Sequence, residues 1–158
     1  MTDEEMLARA VEEARLGLSE GGIPIGAVLV HQGQVLGGGH NRRVQQNSAI
    51  RHGETDCLEN IGRLPASIYA RSTMVTTLSP CDMCTGAILL YGIPRVVVGE
   101  SRNFLGGEQL LASRGVEVVV LDDAGCVEMM AAFIAENPSL WNEDIGVDDE
   151  PFAEPVSS

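Results

Sequence analysis

The stretch Ser79-Pro80-Cys81-Asp82-Met83-Cys84 constrains this chain more than any other. Ser79 is a good N-cap, Pro80 suits the first helical position, and Asp82 completes a Ser-x-x-Asp capping pattern, so a helix is predicted to begin here. Both thiols then fall in its first turn and a half. Free backbone N–H groups and the positive end of the helix dipole favour thiolate over thiol there, and thiolate is the form that binds metal. Upstream stands His52-Gly53-Glu54, with Glu59 further along a second predicted helix. One nitrogen and two sulfurs make three protein ligands and leave one tetrahedral position open for water. The fold must therefore bring two helix starts, near His52 and Ser79, to one point.

A purely structural metal site would need a fourth ligand. The candidates are Cys57, Cys126 and His40, and none stands at motif spacing to the others. A redox Cys-x-x-Cys pair would not call for His-x-Glu upstream. Glu54, two residues from the histidine, lies near the metal without having to bind it, which suits a proton shuttle. Cys57 and Cys126 sit in apolar-periodic contexts and are expected to be buried small hydrophobes. The acidic start Met1-Thr2-Asp3-Glu4-Glu5 reads as neither a signal nor a transit peptide. A disulfide framework is accordingly not expected, and the cytoplasm is the expected compartment.

The 158 residues carry a net charge of −13, and all ten basic residues are arginine. Such a surface opposes binding of nucleic acid through its phosphates. It is consistent with a salt-adapted source or with an arginine-biased composition. No apolar run approaches membrane-span length. The length suits one domain, expected over residues 1–146, followed by an acidic tail over 147–158 expected to be disordered.

Along the chain, Met6, Leu7, Ala10, Val11, Ala14 and Leu18 recur at helical spacing between Asp3 and Ser19, and Gly21-Gly22 ends that helix. Ile25–Val30 and Val35–Gly39, joined through Gln32-Gly33-Gln34, predict an antiparallel hairpin. Gly37-Gly38-Gly39 is not a phosphate loop, because it lacks the Gly-x-Gly-x-x-Gly spacing and no helix opens after it; it marks a bulge or a close backbone approach. A helix from about His52 to Ile61 follows. Strands are predicted at Thr73–Thr77, Arg95–Gly99 and Val116–Leu121, a partly helical connection over 101–114, and a helix over Ala124–Ala135. Ser139–Ile145 is a short cappable segment with Trp141 and Asp144 three apart on one face. A hairpin followed by strand–helix alternation gives an α/β fold, a mixed sheet with helices on both faces.

His-x-Glu … Pro-Cys-x-x-Cys is the recognised signature of the zinc deaminases. The chain resembles the fungal-type cytosine deaminases of the cytidine deaminase superfamily. The likeness runs from about Glu12 to Gly146. It rests on Glu20–Gly26, Gly39-His40-Asn41, His52-Gly53-Glu54, Leu58-Glu59-Asn60, Thr76–Ile88, Tyr91–Arg95, Trp141 and Glu143–Gly146. The resemblance implies a three-layer α-β-α fold around a five-stranded mixed sheet, and a homodimer with one zinc ion per subunit. It assigns His52, Cys81 and Cys84 to zinc and Glu54 to proton transfer. Asn41 and the Gly53 N–H would address the pyrimidine carbonyl, and Asp144 the exocyclic amine. Phe104 and Trp141 would wall the ring, with Ile25 and Leu78 nearby. The implied partner is a small nucleobase, with no nucleic acid and no membrane, in pyrimidine salvage. Asn142 after Trp141, Thr55-Asp56-Cys57 and Phe104-Leu105-Gly106-Gly107 depart from the family pattern and bear on which ring is taken. Cytosine comes first; isocytosine, guanine or a creatinine-like ring, a tRNA adenosine, and a catalytically silent binding module are the alternatives.

Overall fold

The structure, a computed structural model, describes residues 1–149; the tail expected to be disordered lies mostly outside that range. Helix α1 (Asp3–Ser19) buries Met6, Leu7, Ala10 and Ala14 at helical spacing. A reciprocal capping box between Thr2 and Glu5 starts it, and its three first-turn acids face the positive end of the dipole. The hairpin β1 (Gly26–His31) and β2 (Gln34–His40) turns at Gln32 and Gly33, both at positive φ, 50° and 75°, as a two-residue type I′ connection requires. There follow α2 (Arg43–Gln46), α3 (Gly53–Ile61), α4 (Ala66–Tyr69), β3 (Ser72–Leu78), α5 (Asp82–Leu90), β4 (Arg95–Glu100), α6 (Glu108–Ser113), β5 (Glu117–Val120), α7 (Ala124–Glu136) and α8 (Pro138–Asp144). The five strands form one sheet in the order β2-β1-β3-β4-β5. β1 runs antiparallel to both β2 and β3, while β3, β4 and β5 are parallel.

Alternation along the central strands divides the core into two layers. Ala27, Leu29, Met74, Val96 and Val98 point to one face, where they pack with Cys57 of α3, Ile88 of α5 and Leu111 of α6. Val28, Val30, Val75 and Val97 point to the other, against Met6, Leu7 and Ala10 of α1 and Cys126 of α7. The three-layer α/β expectation is met, as is the burial of Cys57 and Cys126. The glycine run does both things expected of it. The β1–β2 register shifts between Leu29 and Val30, whose partners are Gly37 and Val35. A Cβ on Gly39 would stand 2.6 Å from the backbone carbonyl carbon of Asp56, so α3 lies directly on the strand.

One local expectation is corrected. Ser79 does not cap the cysteine helix; Cys81 is its N-cap and the helix begins at Asp82. The Ser79 hydroxyl donates to Glu108 Oε2 at 2.5 Å and accepts from the Gly106 N–H at 2.9 Å. The Pro80 carbonyl accepts from the Gly107 N–H and the Thr85 hydroxyl. These bonds hold Ser79 and Pro80 in the chain segment ahead of the helix and bring the start of α6 alongside. The four-residue helices α2 and α4, and the cappable run that becomes α8, complete the inventory.

Candidate active site

The register places Ile25, the end of β2, the end of β3 and the loop after β4 along one edge of the sheet, since Gly26 pairs with His40 and Ala27 with Thr76. Ligands of parallel α/β sheets gather at the carboxyl ends of strands. His52 is the N-cap of α3, and its backbone N–H donates to Thr55 Oγ1 at 2.9 Å. Cys81 is the N-cap of α5, with Cys84 one turn on. One donor atom from each of His52, Cys81 and Cys84 lies within 4.8 Å of the others, and this is the one such cluster among the described residues. Cys81 Sγ stands 3.3 Å from His52 Nδ1, while His52 Nε2 stands 3.4 Å from Asp144 Oδ1. Nδ1 therefore faces the sulfurs, and the carboxylate holds the far side of the ring.

The protonation pattern fits a cation at this point. A hydrogen bond from the Cys84 thiol, helped by His52 and by a backbone N–H of the helix start, pulls Cys81 down to about 4 against the opposing effect of burial. Cys84 is pushed well above the ordinary thiol range by the same bond, by burial and by Glu54. The two sulfurs hold one proton between them, and a bound divalent ion takes its place. Two thiolates and an imidazole are a donor set suited to zinc. Burial pushes His52 down, but Cys81 and Asp144 outweigh it and leave the ring shifted upward.

Glu54 is buried two residues along from His52, and the Thr76 hydroxyl of β3 donates to its Oε1. Burial raises its carboxyl, against hydrogen bonds from Cys84 and Thr76. Ile25, Leu78, Phe104 and Trp141 wall a cavity of about 10 Å³ that Glu54, His52, Cys81 and Asp144 also line. Phe104 and Trp141 meet edge to face, centroids 5.9 Å apart at 83°. Asn41 is fully buried; its Nδ2 donates to Asp144 Oδ1 at 2.7 Å, and its Oδ1 accepts from the Arg43 N–H at 3.1 Å. Gly53 is buried against Ile25, whose carbonyl oxygen would stand 3.1 Å from a Cβ there. Burial raises the Asp144 carboxyl, opposed by His52, Asn41 and Arg43.

The metal cluster and the cavity thus bring together His52, Glu54, Cys81, Cys84, Ile25, Leu78, Phe104, Trp141 and Asp144, with Asn41 joined through Asp144 and Gly53 packed against Ile25. Glu59 stands apart: it lines a surface groove with Arg63, Leu90 and Tyr91. Sequence reasoning missed Thr76, which reads as an ordinary strand threonine, and Glu100. Glu100 is fully buried and accepts from the N–H groups of Arg102 and Asn103, fixing the loop that delivers Phe104. The sequence marks Asp56 only as a departure from the family pattern; that it is fully buried and bonded to the His40 N–H, Arg42 and Asn60 is what the structure adds.

Residues 1–100 match the family profile described as the cytidine and deoxycytidylate deaminase zinc-binding region. The chain belongs to this deaminase family. It is 57% identical over 145 residues to the cytosine deaminase of Candida albicans, covering 91% of this chain and 97% of that one. It is 37% identical over 106 residues to a tRNA-specific adenosine deaminase of Streptococcus pyogenes, covering 66% and 67%. A solved tRNA:A34 deaminase superposes with a TM-score of 0.66 at 26% identity, over 80% of this chain and 99% of its own. The guanine deaminase of Nitrosomonas europaea, 21% identical, shares the fold with a TM-score of 0.68 over 85% of each chain. The family is zinc-binding, and His52, Cys81 and Cys84 are the residues of this deaminase chain that can form the metal site.

Proposed function

We propose that this chain is a hydrolase that converts free cytosine and water to uracil and ammonia, with one zinc ion held by His52, Cys81 and Cys84. The observation that carries the reading is the buried Glu54 carboxyl set beside that donor cluster under a small aromatic-walled cavity. The extent of likeness to the Candida albicans cytosine deaminase supports the choice of ring. When bound, zinc supplies Lewis acidity that makes water a nucleophile near neutral pH. Glu54 would take a proton from water as the water oxygen bonds to the amine-bearing carbon, and pass it to the ring nitrogen. It would then take the second proton from the new hydroxyl and give it to the amine as the C–N bond breaks, releasing ammonia. The Thr76 hydroxyl holds Oε1 and so orients the carboxyl for these transfers. Asn41 and the Gly53 N–H address the ring carbonyl, Asp144 the exocyclic amine, and Phe104 and Trp141 the faces of the ring, with Ile25 and Leu78 narrowing the slot. Trp141 and Ile145 close the cavity on the α8 side, which favours a bare base over a nucleoside.

The assembly proposed is a homodimer. Its support is a groove of about 560 Å³ lined by Leu58, Leu64, Tyr69, Leu90 and Tyr91, where Leu90 is 75% exposed. Glu59 and Arg63 on the same groove suit a twofold contact. The net charge of −13 opposes a tRNA substrate. No helix among the described residues is long and apolar enough to cross a membrane; we place the protein in the cytoplasm, recovering pyrimidine bases. Ammonia release by zinc-loaded protein tests the reading. Turnover of cytosine and not of cytidine is the expected result. Turnover confined to isocytosine, guanine, creatinine or a tRNA anticodon loop would overturn the choice of substrate. No turnover of any of them with zinc bound would leave a binding module.

A further inference from the structure

Behind the site lies a fully buried carboxylate that the chemistry above does not use. Asp56 of α3 is 0% exposed. Its Oδ2 accepts from the His40 backbone N–H at 3.0 Å, from Arg42 Nε at 3.0 Å and from Asn60 Nδ2 at 3.2 Å. Its Oδ1 faces the Arg51 guanidinium, 3.1 Å from Nε, as an ion pair only and accepts no hydrogen bond among the described residues. Charge-assisted bonds of this kind are roughly twice as strong as neutral ones, and a carboxylate so held in the interior moves only by breaking several at once.

The chain positions of these partners give the cluster its meaning. His40 and Arg42 are the residues on either side of Asn41, and Arg51 is the residue before His52. The Arg42 N–H donates to the Arg51 carbonyl at 2.9 Å, closing the intervening loop on itself. Asn41 has its own backbone N–H on the Ile25 carbonyl at 2.9 Å. Asp56 thus ties both flanks of the recognition amide to the helix that presents His52 and Glu54. The absence of a side chain on Gly39 lets that helix come close enough to do so.

We propose that Asp56 is a positioning residue that sets the distance between Asn41 and the metal centre, and so the fit of the ring's carbonyl edge. It touches neither ring nor metal and acts through the backbone on both sides of Asn41. The proposal rests on the assignment of Asn41 to ring recognition made above.

The test is a double-mutant cycle. Asp56→Asn, Asp56→Ser and Arg51→Gln are each made alone and together with Asn41→Ala. Zinc content, kcat and KM for cytosine are measured, with solvent exchange of the Asn41 side-chain amide by NMR in the substrate-free holoprotein. The Asp56 variants are expected to keep their zinc, to raise KM roughly tenfold to a hundredfold with kcat within about threefold of the parent, and to speed exchange of the Asn41 amide. In the Asn41→Ala background the same changes should add less than about twofold, because the residue being positioned is gone. Arg51→Gln should act in the same direction by about threefold, and it carries the test if the Asp56 variants fail to fold. Effects that multiply fully with Asn41→Ala, or an Asn41 amide unchanged in the variants, would overturn the proposal. Should the parent fail to turn over cytosine, the substrate reading falls, while the amide readout still decides for or against Asp56.

Discussion

At the scale of single residues the site separates groups that share a chemical type. Four thiols are present among the described residues, and only Cys81 is brought into the thiolate range; burial pushes Cys57 up, and Cys126 up to about 12. Among the acids around the metal cluster, Glu54 is buried against the Thr76 hydroxyl and the Cys84 thiol, and Asp144 is engaged by an amide and an imidazole. Substitution separates these roles. Glu54→Gln should retain zinc, measured by elemental analysis, and lose turnover by about 10²–10⁴-fold, since it keeps the shape of the side chain and removes its capacity to carry a proton. Cys81→Ala should lose the metal itself and, with it, the stability that metal binding adds to the folded state. An active Glu54→Gln enzyme would remove the proton-transfer role.

At the scale of elements, the approach of α3 to β2 decides where the two halves of the site meet. Gly39→Ala would put a Cβ against the backbone of Asp56 and Cys57, neither of which can swing away as a side-chain tip can. A cost of about 1–3 kcal/mol in urea denaturation is expected, and a neutral result would mean that the helix rides freely on the sheet. The strands were legible because alternation along β1, β3 and β4 assigns each residue to one of two buried faces. The start of α3 was legible from its motif. The cap of α5 was not, since the Ser79 hydroxyl is claimed by Glu108 and Gly106, residues of a later connection. The four-residue helices carry no periodicity to read. Within the site, the metal donors and Glu54 followed from spacing. Phe104, Trp141 and Asp144 came only through the family resemblance, because their partners are distant in the chain: Asn41 and Asp144, hydrogen-bonded here, stand 103 positions apart. Asp56 stood out only as a departure from the family pattern; its role stayed hidden because that lies in which backbone it holds, and composition is silent on that.

At the scale of the whole molecule, a chain of net charge −13 carries a groove in which exposed Leu90 and Tyr91 stand with Glu59 and Arg63. Leu90→Glu should convert a dimer to a folded monomer in sedimentation, since it sets a charge at a site that is 75% exposed in the single chain and costs that chain little. A parent that sediments as a monomer would remove the proposed assembly. The cavity under Trp141 has a consequence of another kind. At about 10 Å³ it has room for roughly one water molecule, so a pyrimidine is expected to enter only as its walls, Phe104 and Trp141 among them, give way. Entry and grip are then set by different states of the same protein. If the open form is about one molecule in a hundred, a ring that binds through it has a measured affinity about a hundredfold weaker than that form's own. Loosening α8 would trade residence time for speed of arrival.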